Sequence, residues 1–310
     1  METIKVQSLS KKFNGNPAVQ GLTFSVEEGE LFGLVGPDGA GKTTTLRMLA
    51  SILDPTSGDA WVGGFHVTEE AERIKEIIGY MGQRFDLYPD LTVMENITFY
   101  ADIYEVPRRE RKQKIERLLA FSNLGPFTKR LAGNLSGGMK QKLGLACSLV
   151  HTPKVLFLDE PTNGVDPVSR RDFWRILYQL RKEGVTILVS TAYLDEAERC
   201  NRLVLMHQGQ SVASGSPDEL KRLVQGDFVE IRAPQPRVAA QVLRRDGGMG
   251  MVELFGERIH LLADDFESAA THARTVLDKH GIATDEIFRV EPSLEDVFVT
   301  ILAGKRVSDR

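Results

Sequence analysis

What most constrains the fold of this chain is a strand, a glycine-rich loop and a helix in direct succession. The apolar run ELFGLVG leads into Gly36-Pro37-Asp38-Gly39-Ala40-Gly41-Lys42-Thr43, and a helical pattern begins near Lys42. The spacing G-x-x-x-x-G-K-[ST] surrounds an anion with backbone N–H groups, because glycines let successive amides face one side and the helix N-terminus adds partial positive charge. Lys42 neutralises phosphate oxygens. The Thr43 hydroxyl, with Thr44 next to it, reaches a divalent cation. A loop of this kind follows a buried strand at the edge of an open parallel sheet, so the expected class is α/β.

The rest of the chain agrees with that class. From Met1 to about Gln225, the β-branched runs IKVQSLS, LTFSV, KVLFLDE and VTILVS alternate with stretches of helical period, which predicts a mostly parallel sheet between helices. Between Asp86 and Val150 strand signals fade, and MENITFYADIY, RRERKQKIERLLAFS and GGMKQKLGLACSLV predict an inserted helical lobe. Beyond Gln225-Gly226 the order becomes FVEIRA, a helix, MVELF and RIHLL joined at Gly256-Glu257, a second helix and EIFRV. That is a split β-α-β-β-α-β plan, the ferredoxin-like arrangement. EPSLEDVFVTILAG closes it, with Ser293 and Asp296 spaced as a capping box and Leu294, Val297, Phe298, Ile301 and Leu302 on one face, expected to dock on the small sheet. Two domains are therefore expected, 1–225 and 226–310.

KVLFLDE supplies the second half of the chemistry. Asp159 and Glu160 leave the strand at the carboxyl edge of the sheet, where one acid holds a hydrated cation and the other accepts a proton from an attacking water. Between the two halves, Leu135-Ser136-Gly137-Gly138-Met139-Lys140-Gln141 opens a helix with a hydroxyl and two glycine amides, a second anion-binding surface. Two phosphate surfaces in one chain need an explanation that a single site does not provide.

Composition narrows the classes. The chain has 310 residues, 42% of them hydrophobic, and a formal net charge of −4 with both signs interleaved, which argues against a nucleic-acid partner. Cys147 and Cys200 are too few for a disulfide framework or a metal cluster, and packing roles are expected for both. No apolar run approaches the roughly 18 residues of a spanning helix, and METIKVQ lacks a basic and then apolar leader pattern, so a soluble intracellular chain is expected.

Taken together, GPDGAGKT, LSGGMKQ and KVLFLDE resemble the ATP-binding cassette (ABC) transporter ATPases over essentially Met1 to Gln225. The resemblance implies a P-loop NTPase fold, ATP and Mg²⁺ as ligands, and a composite site in which Ser136, Gly137, Gly138 and Gln141 act on ATP held by a second cassette. It implies that Phe13 stacks on adenine, that Gln83 joins Mg²⁺ to the lobe facing the membrane, and that Asp166, in PTNGVDP, crosses the cassette interface. In the family a histidine follows the Ser-Thr of the strand VTILVST and bonds the γ-phosphate; here STAYLDEAERC places Ala192 there, with water or Thr191 as candidate substitutes. Asp38 stands where the family usually has asparagine. A hydrogen bond to a charged group contributes about 1.5–3 kcal/mol, so loss of one used in the transition state slows hydrolysis roughly ten- to hundredfold.

The flanks QRFDLYPDLTVMENITFYADIY and EPSLEDVFVTIL are similar to ATPases of ABC-2 type drug and lipid-linked glycan exporters, and the motifs together look like the first cassette of tandem-cassette multidrug exporters. That implies a peripheral protein on the inner face of the cell membrane, working with a separate permease that docks near Arg84 to Tyr104, and with a second cassette of the same or another chain. A regulatory cassette with little hydrolysis is an alternative. A soluble cassette ATPase outside transport is another, although fewer than a hundred residues separate Lys42 from Ser136, which leaves no room for a long coiled-coil insertion.

Overall fold

The computed structural model describes residues 2–83, 87–247 and 250–304. Two sequence landmarks, Asp86 at the start of the expected lobe and Arg84 at the start of the expected docking segment, lie outside the described residues. The chain divides into two compact units, Met1–Ser214 and Gly215–Arg310.

The first unit contains β1 (Glu2–Phe13), β2 (Asn16–Glu27), β3 (Leu31–Val35), α1 (Lys42–Leu49), β4 (Ser57–Val62), β5 (Phe65–His66), α2 (Ala71–Ile77) and β6 (Ile78–Met81). It continues with α3 (Val93–Ile103), α4 (Arg108–Ser122), α5 (Gly137–Leu149), β7 (Val155–Asp159), α6 (Pro167–Lys182), β8 (Thr186–Thr191), α7 (Leu194–Ala197), β9 (Arg202–His207) and β10 (Gln210–Gly215). Its central sheet has the order β10-β9-β3-β8-β7-β6, and β3 pairs in parallel with both β8 and β9 while β7 pairs in parallel with β6 and β8. Every residue of β3, β7 and β8 is buried, as a parallel strand covered on both faces requires. Phe32, Phe157 and Leu188 pack towards Leu46 and Leu49 of α1 on one face, whereas Leu156, Leu158 and Val189 pack towards Phe173, Trp174 and Leu177 of α6 on the other.

The mostly parallel sheet expected from the sequence is present, and a second sheet accompanies it. β1 and β2 join β4 and β5 in a separate antiparallel sheet, ordered β2-β1-β4-β5. The reason lies in the side chains: Ile4, Val6 and Leu9 of β1 and Leu22, Phe24 and Val26 of β2 turn inward in rough alternation with solvent-facing neighbours, so these strands bury one face only. The helical lobe forms as expected from α3, α4 and α5, around Val93, Ile97, Leu119, Leu143 and Cys147. Thr92 and Glu95 close a capping box at the start of α3. Both cysteines are buried free thiols, and burial pushes each thiol pKa upward, which suits packing rather than reactivity.

The second unit contains α8 (Pro217–Lys221), β11 (Asp227–Arg232), α9 (Pro236–Asp246), β12 (Met251–Phe255), β13 (Arg258–Ala263), α10 (Phe266–Lys279), β14 (Glu286–Val290) and α11 (Leu294–Leu302). The unit begins before the Gln225-Gly226 break because α8 packs against α11 and buries Leu220. Its antiparallel sheet runs β12-β13-β11-β14, with Val229, Ile231, Ile259 and Leu261 against α9 and α10. The capping box of Ser293 and Asp296 is present. The stripe on α11 is not wholly apolar, however. Leu294 and Val297 are buried together with Asp296 and Thr300, while Leu302 is exposed.

Asp296 is buried because it meets His260 of β13. The His260 ring lies 2.8 Å from Asp296 through Nδ1 and 3.3 Å from Glu230 through Nε2, and Glu230 also takes Arg232 at 2.9 Å. Burial disfavours the imidazolium, but hydrogen bonding and attraction to Asp296 and then Glu230 outweigh it, so the pKa of His260 stands above its ordinary value. The stabilisation from these contacts is therefore complete below the unfolded histidine value of about 6.5 and is lost as pH rises through the higher folded value. We predict that Asp296→Asn lowers the pKa of His260, read by NMR titration of the full chain, and flattens the stability loss above neutral pH; an unchanged titration would contradict the pairing.

Candidate functional site

The glycine-rich loop leaves β3 at Val35 and turns directly into α1. Gly36 has no room for a side chain, since a Cβ there would lie 2.2 Å from the Met206 carbonyl oxygen. Its amide donates to the Thr191 carbonyl at 3.2 Å. Gly41, the N-cap of α1, has φ 99° and no capping side chain, which leaves the first amides of the helix to an external acceptor. Pro37, Asp38 and Gly39 are exposed and Ala40 is buried. Lys42 is only 3% exposed, and its ammonium donates to the Gly36 carbonyl at 2.7 Å and the Pro37 carbonyl at 3.0 Å.

The third position around that ammonium is Glu160. Lys42 Nζ lies 3.1 Å from Glu160 Oε1, with both side chains buried. The other carboxylate oxygen, Oε2, accepts from Gln83 Nε2 at 3.1 Å and from Asn163 Nδ2 at 3.2 Å. Glu160 itself has φ 47°, the left-handed region that L residues rarely enter, at a typical cost of about 1–3 kcal/mol. Two bonds from its amide hold it there, to the Ser190 hydroxyl at 3.0 Å and the Ser190 carbonyl at 3.2 Å.

Asp159 ends β7 directly opposite Ser190 of β8 in the parallel register. Its Oδ1 accepts from Ser190 Oγ at 2.6 Å and Thr43 Oγ1 at 3.0 Å, while Oδ2 is buried with no hydrogen-bond partner. Burial holds the carboxyl above its ordinary pKa, with the Ser190 and Thr43 hydroxyls pulling it partly back. A buried oxygen without a donor beside a threonine hydroxyl fits a divalent cation, which would supply the missing positive charge. Thr43 and Asp159 meet at the phosphate loop, and Gln83 reaches it through Glu160 and Lys42. Asn163 and Ser190 belong to the same cluster and were not singled out as site residues from sequence; Asn163 lies three residues after Glu160, and Ser190 ends the apolar run before the turn at Ala192.

The remaining sequence-selected residues make no hydrogen bond to this cluster among the described residues. Ser136 is the N-cap of α5 and accepts from the Met139 amide at 3.3 Å. Asp166 caps α6 in the same manner, accepting from Val168 and Ser169, and those backbone bonds lower its pKa. The two helix starts are neighbours, because a Cβ on Gly138 would lie 2.4 Å from Ser169 Cβ and one on Gly137 would lie 4.0 Å from the Gly164 carbonyl oxygen. The exposed Ser136 and Gly137 therefore stand beside the loop of Asp166, and Gln141 lies half-buried one turn along α5. Phe13, at the end of β1, is 47% exposed with Lys11 Nζ 5.4 Å from its ring centroid.

Ala192 is exposed at the turn after β8. Its neighbour Thr191 is not available as a substitute for a missing side chain. The Thr191 hydroxyl is buried, donates to Glu196 Oε2 at 2.8 Å and accepts from the Tyr193 amide at 3.0 Å.

Comparison with known proteins adds family to this geometry. The ABC transporter family model matches residues 19–163. The "Daunorubicin resistance ATP-binding protein DrrA2" of Streptomyces coeruleorubidus is 34% identical over 311 residues, covering 99% of this chain and 96% of that one. The chain belongs to the ABC transporter ATP-binding proteins. The "Probable multidrug ABC transporter ATP-binding protein YbhF" of Escherichia coli K12 is 44% identical over 312 residues, covering 99% of this chain but only 53% of that protein. The cassette thus spans about half the length of that relative. Among solved structures, CbiO1 from Clostridium perfringens, part of the ABC transporter complex CbiONQ, superposes with a TM-score of 0.66 at 26% identity, over 79% of this chain and 97% of that one.

The contact between the starts of α5 and α6 gives a direct test of the local geometry. Gly138→Ala should lower the stability of the cassette by about 1–3 kcal/mol in denaturant melts, the usual cost of forcing an extra carbon into a filled space. Adding Ser169→Gly should recover most of that loss, and a simple sum of two destabilisations would contradict the contact.

Proposed function

We propose that this chain binds Mg²⁺-ATP on Gly36 to Thr44 and hydrolyses it to drive a separate ABC-2 type membrane permease that exports drugs or amphipathic compounds. The observation that carries this reading is the pairing of Asp159, whose buried Oδ2 has no donor, with Glu160, held on Lys42 at the phosphate loop. In this reading Thr43, Gln83 and Asp159 hold Mg²⁺, and Phe13 offers its open face to adenine. When bound, Mg²⁺ supplies charge neutralisation on the β- and γ-phosphates. Phosphate oxygens compete with Glu160 for Lys42. As the ammonium turns to them, Glu160 Oε1 loses its cation and becomes the acceptor for the proton of an attacking water.

The adjacency of α5 and α6 supports a composite site. Ser136, Gly137, Gly138 and Gln141 would meet ATP held by an opposing cassette, with Asp166 reaching across the same interface. Ser136 and Asp166 cap their own helices in this chain, so each keeps its helix start ordered until a partner arrives. The export assignment draws on the printed names of the multidrug and daunorubicin-resistance relatives. Tyr88, Met94 and Ile103 are large exposed apolar groups of the helical lobe and support docking of the permease there, which would hold the protein on the inner face of the cell membrane. Among the described residues no helix is long and apolar enough to cross a membrane. Residues 1–225 would form the working cassette and 226–310 an accessory domain that stabilises assembly.

Ala192 makes this the weaker of two unlike ATP sites, because the occupied Thr191 hydroxyl leaves no local group for the γ-phosphate bond. The natural partner would be a cassette that carries histidine at the equivalent position. Lys42→Ala should abolish Mg²⁺-ATP binding in calorimetry, and retained affinity would overturn the loop assignment. Ala192→His should raise turnover at saturating ATP by about ten- to hundredfold, the range set by one hydrogen bond to a charged group. An unchanged rate would instead favour a site that works without that bond.

A further inference from the structure

Position 192 carries no functional group, yet the turn around it is anchored to a carboxylate with no exposed surface. Glu196, on the four-residue helix α7, is fully buried. Its Oε1 accepts from Thr162 Oγ1 at 2.5 Å and its Oε2 from Thr191 Oγ1 at 2.8 Å. Arg170 Nε lies 3.3 Å from Oε1, off the angle of a directed hydrogen bond, and so contributes charge. A carboxylate buried to this degree needs its partners, and an apolar side chain would fill the same space without that demand. What the carboxylate adds is the joining of three segments.

Those segments lead to functional elements on both sides. Thr191 passes its backbone carbonyl to the Gly36 amide, the first of the phosphate loop. The Thr162 carbonyl accepts from the Val165 amide at 3.1 Å and so shapes the turn that presents Asp166. Arg170 donates its amide to the Asp166 carbonyl at 2.9 Å, and its guanidinium lies 4.3 Å from the centroid of the Tyr193 ring, beside Ala192. We propose that Glu196 is a positioning residue that transmits occupancy of the phosphate loop, through Thr191, to Thr162 and Arg170 and hence to the interface loop bearing Asp166. The proposal rests on the reading of Gly36 to Thr44 as the ATP site. It gives the turn at 192 a function that survives the loss of a reactive side chain: a mechanical link between the local nucleotide and the surface offered to a second cassette.

Hydrogen–deuterium exchange of the full chain, with and without Mg²⁺-ATP, tests the link, together with steady-state turnover. In the wild type both the phosphate-loop segment and segment 162–170 should gain protection. In Glu196→Gln, and in Thr162→Val, the phosphate loop should still be protected at an affinity within about threefold, protection of 162–170 should fall to background, and kcat should drop about tenfold with little change in KM. Thr162→Ser, which keeps the hydroxyl, should behave as wild type. Nucleotide protection of 162–170 that persists in both Glu196→Gln and Thr162→Val overturns the coupling, as does an equal loss of protection at both segments, which marks a purely structural role. A wild-type chain whose phosphate loop does not respond to Mg²⁺-ATP instead overturns the ATP reading on which the proposal stands.

Discussion

The buried ammonium of Lys42 is the constraint around which the site is built. A cation with 3% exposure has to satisfy its donors locally, and Lys42 does so with the Gly36 and Pro37 carbonyls and the Glu160 carboxylate. The same contacts fix the curvature of the loop and keep an acid at its mouth. Glu160 and Lys42 are thus neutralised by one another, and in the proposed function a phosphate group displaces Glu160 from Lys42.

The scaffold makes that exchange local. Asp159 and Ser190 face each other across the β7–β8 pairing, and the Ser190 hydroxyl both donates to Asp159 and accepts from the Glu160 amide. One short side chain therefore orients both acids and holds the left-handed turn between them. Because β3 pairs with β8 as well, the phosphate loop after β3 and the acids after β7 are set by the two strands that flank β8, and all three strands are buried along their length. None of the hydrogen bonds and ion contacts that hold Lys42 and Asp159 involves Ala192.

Much of this was legible in the sequence because the decisive signals are short-range. The loop spacing, the acid pair at the end of an apolar strand and the serine-glycine helix start each lie within a few residues, and the split βαβ order of the second unit follows from hydrophobic period alone. The antiparallel layer was not legible. β1 and β2 look like any β-branched run, and their partner β4 is set by pairing across the chain rather than by local pattern. Asn163, Ser190 and Glu196 were also missed, for a related reason: a polar residue in a turn or at the start of a helix usually faces solvent, and only the fold turns Glu196 inward against two threonines. Asp296 is a similar case, read correctly as a cap but also drawn into the sheet by His260.

If Lys42 is shared between Glu160 and the incoming phosphates, removal of the competing charge has a specific consequence. The most direct measurement is calorimetric titration of Mg²⁺-ATP into the wild-type chain and into Glu160→Gln, with hydrolysis followed in the same preparations. The account predicts that Glu160→Gln binds Mg²⁺-ATP more tightly than wild type while turnover is lost. Weaker binding in Glu160→Gln, or hydrolysis at the wild-type rate, would contradict it.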